Sequence, residues 1–97
     1  MTTTTAAMRV AAGAAVLDFV RPSWREELNL VDLDVMGLTT CPLGQLWGSY
    51  GNGLGALGHP NYATQEAEAY AIRHGFEVEG DDDYETLTEL WVAEARR

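Results

Sequence analysis

Lysine is missing from this 97-residue chain, cysteine occurs once, histidine twice and proline three times. Each scarcity excludes something. A single thiol, Cys41, makes no disulfide within the chain and builds no cysteine-rich metal knuckle, so folding is expected to need neither. His59 and His74, with no local Cys–His signature around them, leave little material for nucleophilic or metal-assisted chemistry. No catalytic residue, cofactor or metal is therefore expected, and the chain reads as a non-enzyme. The six basic residues are all arginine, and they face 15 Asp and Glu for a net charge of −9. A chain this acidic repels phosphate backbones, so no direct nucleic-acid partner is expected.

Long apolar runs are missing too. The longest uncharged stretch, residues 35–65, is interrupted by glycines and by Pro42 and Pro60, and it does not make a spanning helix of about 20 apolar residues. The apolar run from Val10 to Leu17 is too short for a secretory signal and stops at Asp18. These features imply a cytoplasmic protein with no membrane partner.

What is present fits one small domain. Helical periodicity recurs along the chain, and clean strand alternation does not. The expectation is an all-α, single compact domain of four to five short helices over residues 1–97, with residues 1–5 a disordered start. A first helix over residues 6–20 carries Met8, Ala12, Ala15, Val16 and Phe19 at the spacing of one buried face, and Pro22 stops it. Ser23 to Glu26 reads as a capping box opening a short helix. Residues 29–38 are the most strand-like part. With no partner strand available, an extended segment near Leu30 and Val35 lying across helices is expected.

A third helix opens at Thr40 or Cys41 with Pro42 at its first position, where the missing amide costs nothing. Its apolar stripe is Leu43, Leu46, Trp47, Tyr50, Leu54 and Leu57. A second stripe, Gly44, Gly48, Gly51 and Gly55, implies close approach of another backbone, from this chain or from a second copy, because interior glycines cost about 0.5–1 kcal/mol each relative to Ala. His59-Pro60 ends that helix. Asn61 is expected to cap a fourth, with His74 leaning on its last carbonyls and Gly75-Phe76 as its exit. Asp82 and Asp83 then cap a final helix carrying Tyr84, Leu87, Trp91 and Ala95.

Two apparent motifs fail on context. Gly53-Leu54-Gly55-Ala56-Leu57-Gly58 matches the dinucleotide fingerprint by letter, but it closes a helix where the fingerprint must follow a strand and open one. The carboxylate run from Glu77 to Glu85 has consecutive aspartates, and its glycine precedes them, unlike a calcium loop. The residues left as candidates for binding a partner protein are Gly44, Trp47, Gly48, Tyr50 and Gly51, on the glycine and aromatic stripes, and the acidic Asp81, Asp82 and Asp83.

One pattern extends beyond these local signals: Arg21-Pro22-x-Trp24, then Leu30-x-x-Leu33-x-Val35, then Cys41-x-Leu43-Gly44-Gln45-Leu46-x-Gly48-x-Tyr50-x-x-Gly53, then His74-Gly75-Phe76. It resembles a group of small uncharacterised proteins encoded by actinobacteria and their bacteriophages. The resemblance implies such a source, with which the absence of lysine agrees, and it implies no catalytic residues. The functional expectation is a non-enzymatic acidic interaction protein that modulates another protein. The alternatives are an acidic decoy imitating nucleic acid and a minor virion or assembly component, and a homodimer is compatible with the glycine stripe.

Overall fold

Six helices and no strand make up the described part of the chain, residues 5–80 and 82–97 of a computed structural model. They are α1 (Ala6–Val20), α2 (Trp24–Glu27), α3 (Pro42–Trp47), α4 (Tyr50–Ala56), α5 (Gln65–Arg73) and α6 (Tyr84–Ala95). The all-α expectation holds, with one helix more than foreseen. Thr5 is part of α1 as its cap, its hydroxyl accepting the Met8 N–H at 3.1 Å. Residues 1–4 lie outside the described residues.

The ends of α1 fall where the sequence puts them, but its buried face is the opposite one. Val10, Gly13, Ala14 and Leu17 are buried, whereas Met8 and Phe19 are exposed. The reason is nonlocal. This helix is apolar nearly all round, so periodicity offers two faces, and packing selects the one with the smaller residues. A Cβ on Gly13 would run into the His74 carbonyl oxygen and sit 3.0 Å from the Trp91 ring. Only a flat side lets α1 lie this close to α5 and α6.

Trp91 anchors the core. Its ring meets Trp24 edge-on, with centroids 5.7 Å apart, and stacks on Phe76 at 5.3 Å. Both indoles are satisfied, Trp91 donating to the Gly75 carbonyl at 2.7 Å and Trp24 to Asp18 Oδ1 at 2.8 Å. Around them pack Leu17, Leu43, Leu54 and Leu87, all fully buried. Helices α1 and α6 run parallel. At their N-terminal ends Arg9 pairs with Asp82, and near their C-terminal ends Arg25 bonds the Glu94 backbone carbonyl at 3.2 Å.

Several local expectations change in detail. Ser23 makes no side-chain cap to α2; its hydroxyl donates to Glu27 at 2.8 Å, and Glu27 also takes the Arg21 guanidinium. Residues 29–38 are neither strand nor simple extended connector. Asn29 Oδ1 accepts the N–H groups of Val31 and Asp32 and turns the chain. Leu33 and Val35 are then buried while Val31 points outward. The cap of α5 is Thr64, accepting the Ala67 N–H at 3.1 Å; Asn61 makes a turn one step earlier through Ala63 N–H. The α5 exit is as expected, with Gly75 at φ +73° and the Phe76 N–H bonding back to the Ala71 carbonyl at 2.8 Å.

Candidate interaction groove

The long third helix expected from the sequence is two helices meeting at a corner. Cys41 caps α3, its sulfur accepting the Gly44 N–H at 3.2 Å, and Pro42 occupies the first turn. Gly48 then takes φ +94°, ends α3, and Ser49 starts α4 by accepting the Asn52 N–H at 3.1 Å. Gly48 is therefore a hinge in left-handed conformation and not part of a helical stripe. Its Cβ position is nearly open, with only the Asn52 amide nitrogen at 3.8 Å. Gly48→Ala and Gly48→Leu should each cost about 1–2 kcal/mol from backbone strain alone, with similar losses for the two. Urea titration of both variants checks this, and a much larger loss for Leu would restore the packing explanation.

Close backbone approach does occur at Gly44, and the approaching atoms are the chain's own. A Cβ there would collide with the Leu38 carbonyl oxygen and lie 2.7 Å from Thr39 Cα. The turn carrying Leu38 is thus pressed onto α3, and the Tyr50 N–H reaches the same carbonyl at 2.8 Å. This clamp leaves the Leu38 side chain outside, 68 % exposed.

Gly51 has a different neighbour. A Cβ on it would stand 2.9 Å from the Tyr62 ring, so the glycine leaves room for that ring to lie against α4. Tyr62, 57 % exposed, meets Tyr50 edge-on at 6.4 Å. Between them opens a cleft of about 240 Å³ lined chiefly by Leu38, Tyr50, Gly51, Asn52, Pro60 and Tyr62. Burial, reinforced by the Glu77 charge, pushes the Tyr50 phenol well above its usual range, so it stays neutral and can donate.

The candidate residues divide accordingly. Tyr50 and Gly51 share this cleft. Gly44 is buried beneath it, and Trp47 lies under the Arg21 guanidinium at 5.2 Å. Asp82 is held by Arg9, Asp83 caps α6 by accepting the Thr86 N–H at 2.6 Å, and Asp81 lies outside the described residues. That hydrogen bonding holds the Asp83 carboxyl below its ordinary value. Leu38, Asn52, Pro60 and Tyr62 were not singled out from the sequence. The available signal was the pair Pro60 and Tyr62 just beyond the glycine-rich helix.

Other chemistry-bearing groups are tied up locally. The Cys41 thiol is buried, and desolvation pushes its ionisation upward. Tyr70 stands between the two histidine rings, 4.5 Å from His59 and 4.0 Å from His74, and His74 Nδ1 lies 2.8 Å from the Tyr70 carbonyl. Among the described residues no three His, Cys, Asp or Glu side chains converge as a metal site would require, and no helix is long and apolar enough to cross a membrane. Near the cleft, the Tyr84 hydroxyl donates to Glu77 at 2.5 Å, which pushes its pKa up to about 12. Because the folded value is raised above the ordinary value of about 10, this contribution to stability is complete below pH 10 and is lost as pH rises through 12. Alkaline unfolding followed by circular dichroism should be steep over that interval, and Tyr84→Phe should flatten it.

No protein-family model, curated protein or solved structure matches the chain. Residues of the pattern running from Arg21 to Phe76 have structural roles in this fold. Trp24, Leu33, Val35, Leu43 and Phe76 are core, Gln45 bonds the Asn29 and Thr40 backbone, and Gly44, Gly48, Gly53 and Gly75 allow a contact or a turn.

Proposed function

We propose that this is a non-enzymatic acidic interaction protein, encoded by an actinobacterium or its phage, that modulates another protein by holding an apolar segment of it in the Leu38–Tyr50–Tyr62 cleft. The observation carrying this reading is the exposure of Leu38 and Tyr62 around a cleft floored by glycine. Apolar and aromatic side chains left outside a small core are what interface anchors look like. The size agrees, because about 240 Å³ holds one or two side chains and falls below the usual range of small-molecule sites. The net charge of −9 favours a partner that is basic around that segment.

Selection from a random-peptide display library tests this. Binders should be enriched in arginine or lysine flanking one or two large apolar residues. Tyr62→Ala and Leu38→Ser should weaken them at least tenfold while leaving the melting temperature unchanged. Binding indifferent to both substitutions rejects the cleft.

The decoy reading places the contact on the acidic segment instead. Asp82 and Asp83 hold Arg9 and cap α6, so replacing them would disturb the fold along with the charge. Glu79 also pairs with Arg9 at 3.6 Å, so Glu85, exposed on the first turn of α6, is the better probe, and strong loss of binding in Glu85→Gln with strong salt dependence would favour the decoy.

A further inference from the structure

The turn that brings Leu38 to the Tyr50–Tyr62 cleft also borders a second concavity, of about 390 Å³, through Met36. Leu33, Met36 and the Tyr84 ring give it apolar walls, and Asp34, Glu85 and Glu89 supply three carboxylates. The two walls are fastened together. The Val35 N–H donates to the Thr88 hydroxyl at 3.0 Å, tying the turn to α6, and the Asp34 N–H donates to the Thr40 carbonyl at 3.2 Å, closing the turn. Glu85, Thr88 and Glu89 share one face of α6 at i, i+3 and i+4, so the bond through Thr88 brings Asp34 alongside both glutamates.

These carboxylates have no cation of their own. Among the described residues Asp34, Glu85 and Glu89 enter no ion pair, and no arginine lines the groove. Arg9, Arg21, Arg25 and Arg97 are engaged with other acids, and Arg96 stands about two helical turns past Glu89. Glu85 and Glu89, four apart on one helix, repel each other, and an arriving cation relieves that. A metal ion is the wrong cation, since no three His, Cys, Asp or Glu side chains converge among the described residues. A longer, planar one fits. An arginine lays its methylenes on Leu33 and Met36, sets its guanidinium against the Tyr84 ring, and spreads five N–H donors over separated carboxylates. We propose that this groove holds an arginine of the partner segment whose apolar residue occupies the Tyr50–Tyr62 cleft. The assignment rests on that reading of the cleft. Met36 and Leu38 are two residues apart, with their Cα atoms separated by at most about 7 Å, so one segment reaches both sites. Its arginine then falls within about four residues of the apolar anchor.

Random-peptide display on the wild-type chain, on Asp34→Asn/Glu89→Gln and on Tyr62→Ala reads the two sites separately. Wild-type binders should carry an arginine at a fixed spacing from the apolar anchor. On Asp34→Asn/Glu89→Gln the anchor should persist, and arginine at that spacing should fall to its frequency in the unselected library. Both exchanges keep side-chain shape, and Asp34→Asn keeps the Oδ1 that accepts the Met36 N–H at 3.0 Å, so the melting temperature should hold. Glu85 stays unchanged, since loss there would equally mark the acidic decoy. For the most enriched peptide, exchanging its arginine for alanine should weaken binding to the wild-type chain about tenfold, and to the double variant by less than about twofold. An arginine retained at the same spacing on the double variant, or equal losses on both proteins, overturns the groove and leaves the cleft standing. An anchor unchanged by Tyr62→Ala rejects the cleft, and the linked proposal with it. Wild-type binders without an arginine at fixed spacing, or no binders at all, overturn the proposal as well.

Discussion

Trp91→Ala should cost about 3–5 kcal/mol and lower the melting temperature by about 15–30 °C. Trp91 is completely buried, with its ring edge-on to Trp24 and stacked on Phe76. Truncation removes both aromatic contacts, leaves a cavity between α1 and α6, and strips the Gly75 carbonyl of its indole donor. A domain of this size has a total stability of only about 5–15 kcal/mol, so much of the population would unfold near physiological temperature. Trp91→Phe separates the contributions. It keeps a ring but loses the N–H, and about 1–2 kcal/mol is expected. Urea unfolding measures both. If Trp91→Ala loses less than 1 kcal/mol, the aromatic cluster is not the centre of the core.

Gly75→Ala should be nearly as damaging, at about 2–4 kcal/mol, for two reasons that add. At φ +73° an L side chain is strained, and a Cβ would lie 2.7 Å from Val10 Cα and 2.8 Å from Val10 N. Those are backbone atoms of α1, so relief requires moving a helix and not rotating a side chain. Gly48→Ala is the control, since Gly48 has a comparable left-handed backbone and open space around it. The excess of Gly75→Ala over Gly48→Ala measures the α1–α5 contact itself. Equal losses at the two positions would show that α1 has room to shift. Because Gly75 also receives the Trp91 indole, Gly75→Ala and Trp91→Ala should combine to less than the sum of their separate losses.

The sequence by itself determined the helical class, most helix ends and the exit of α5, because those depend on residues within a few positions of one another. Pro22 stops α1, Pro42 suits a first turn, Asp83 offers a carboxylate to α6, and Gly75-Phe76 folds back onto Ala71 whatever else the chain does. Tyr50 and Gly51 could be selected as candidates on the same local basis, as an aromatic beside a glycine. What only the tertiary structure decided is which surfaces meet. Helix α1 has two apolar sides, and the flat one won because the Trp91 ring and the α5 terminus need the space over Gly13. The glycine stripe read as one helix was split at Gly48, since a continuous helix would carry Tyr50 away from the Leu38 carbonyl that its N–H now reaches. Leu38 and Tyr62 lie 24 residues apart in sequence and share a cleft only because the turn over Gly44 and the loop against Gly51 are pressed onto the same corner. Local hydrogen bonding writes itself into short patterns. Burial is a competition among all faces of the chain at once, and no window of neighbouring residues contains its outcome.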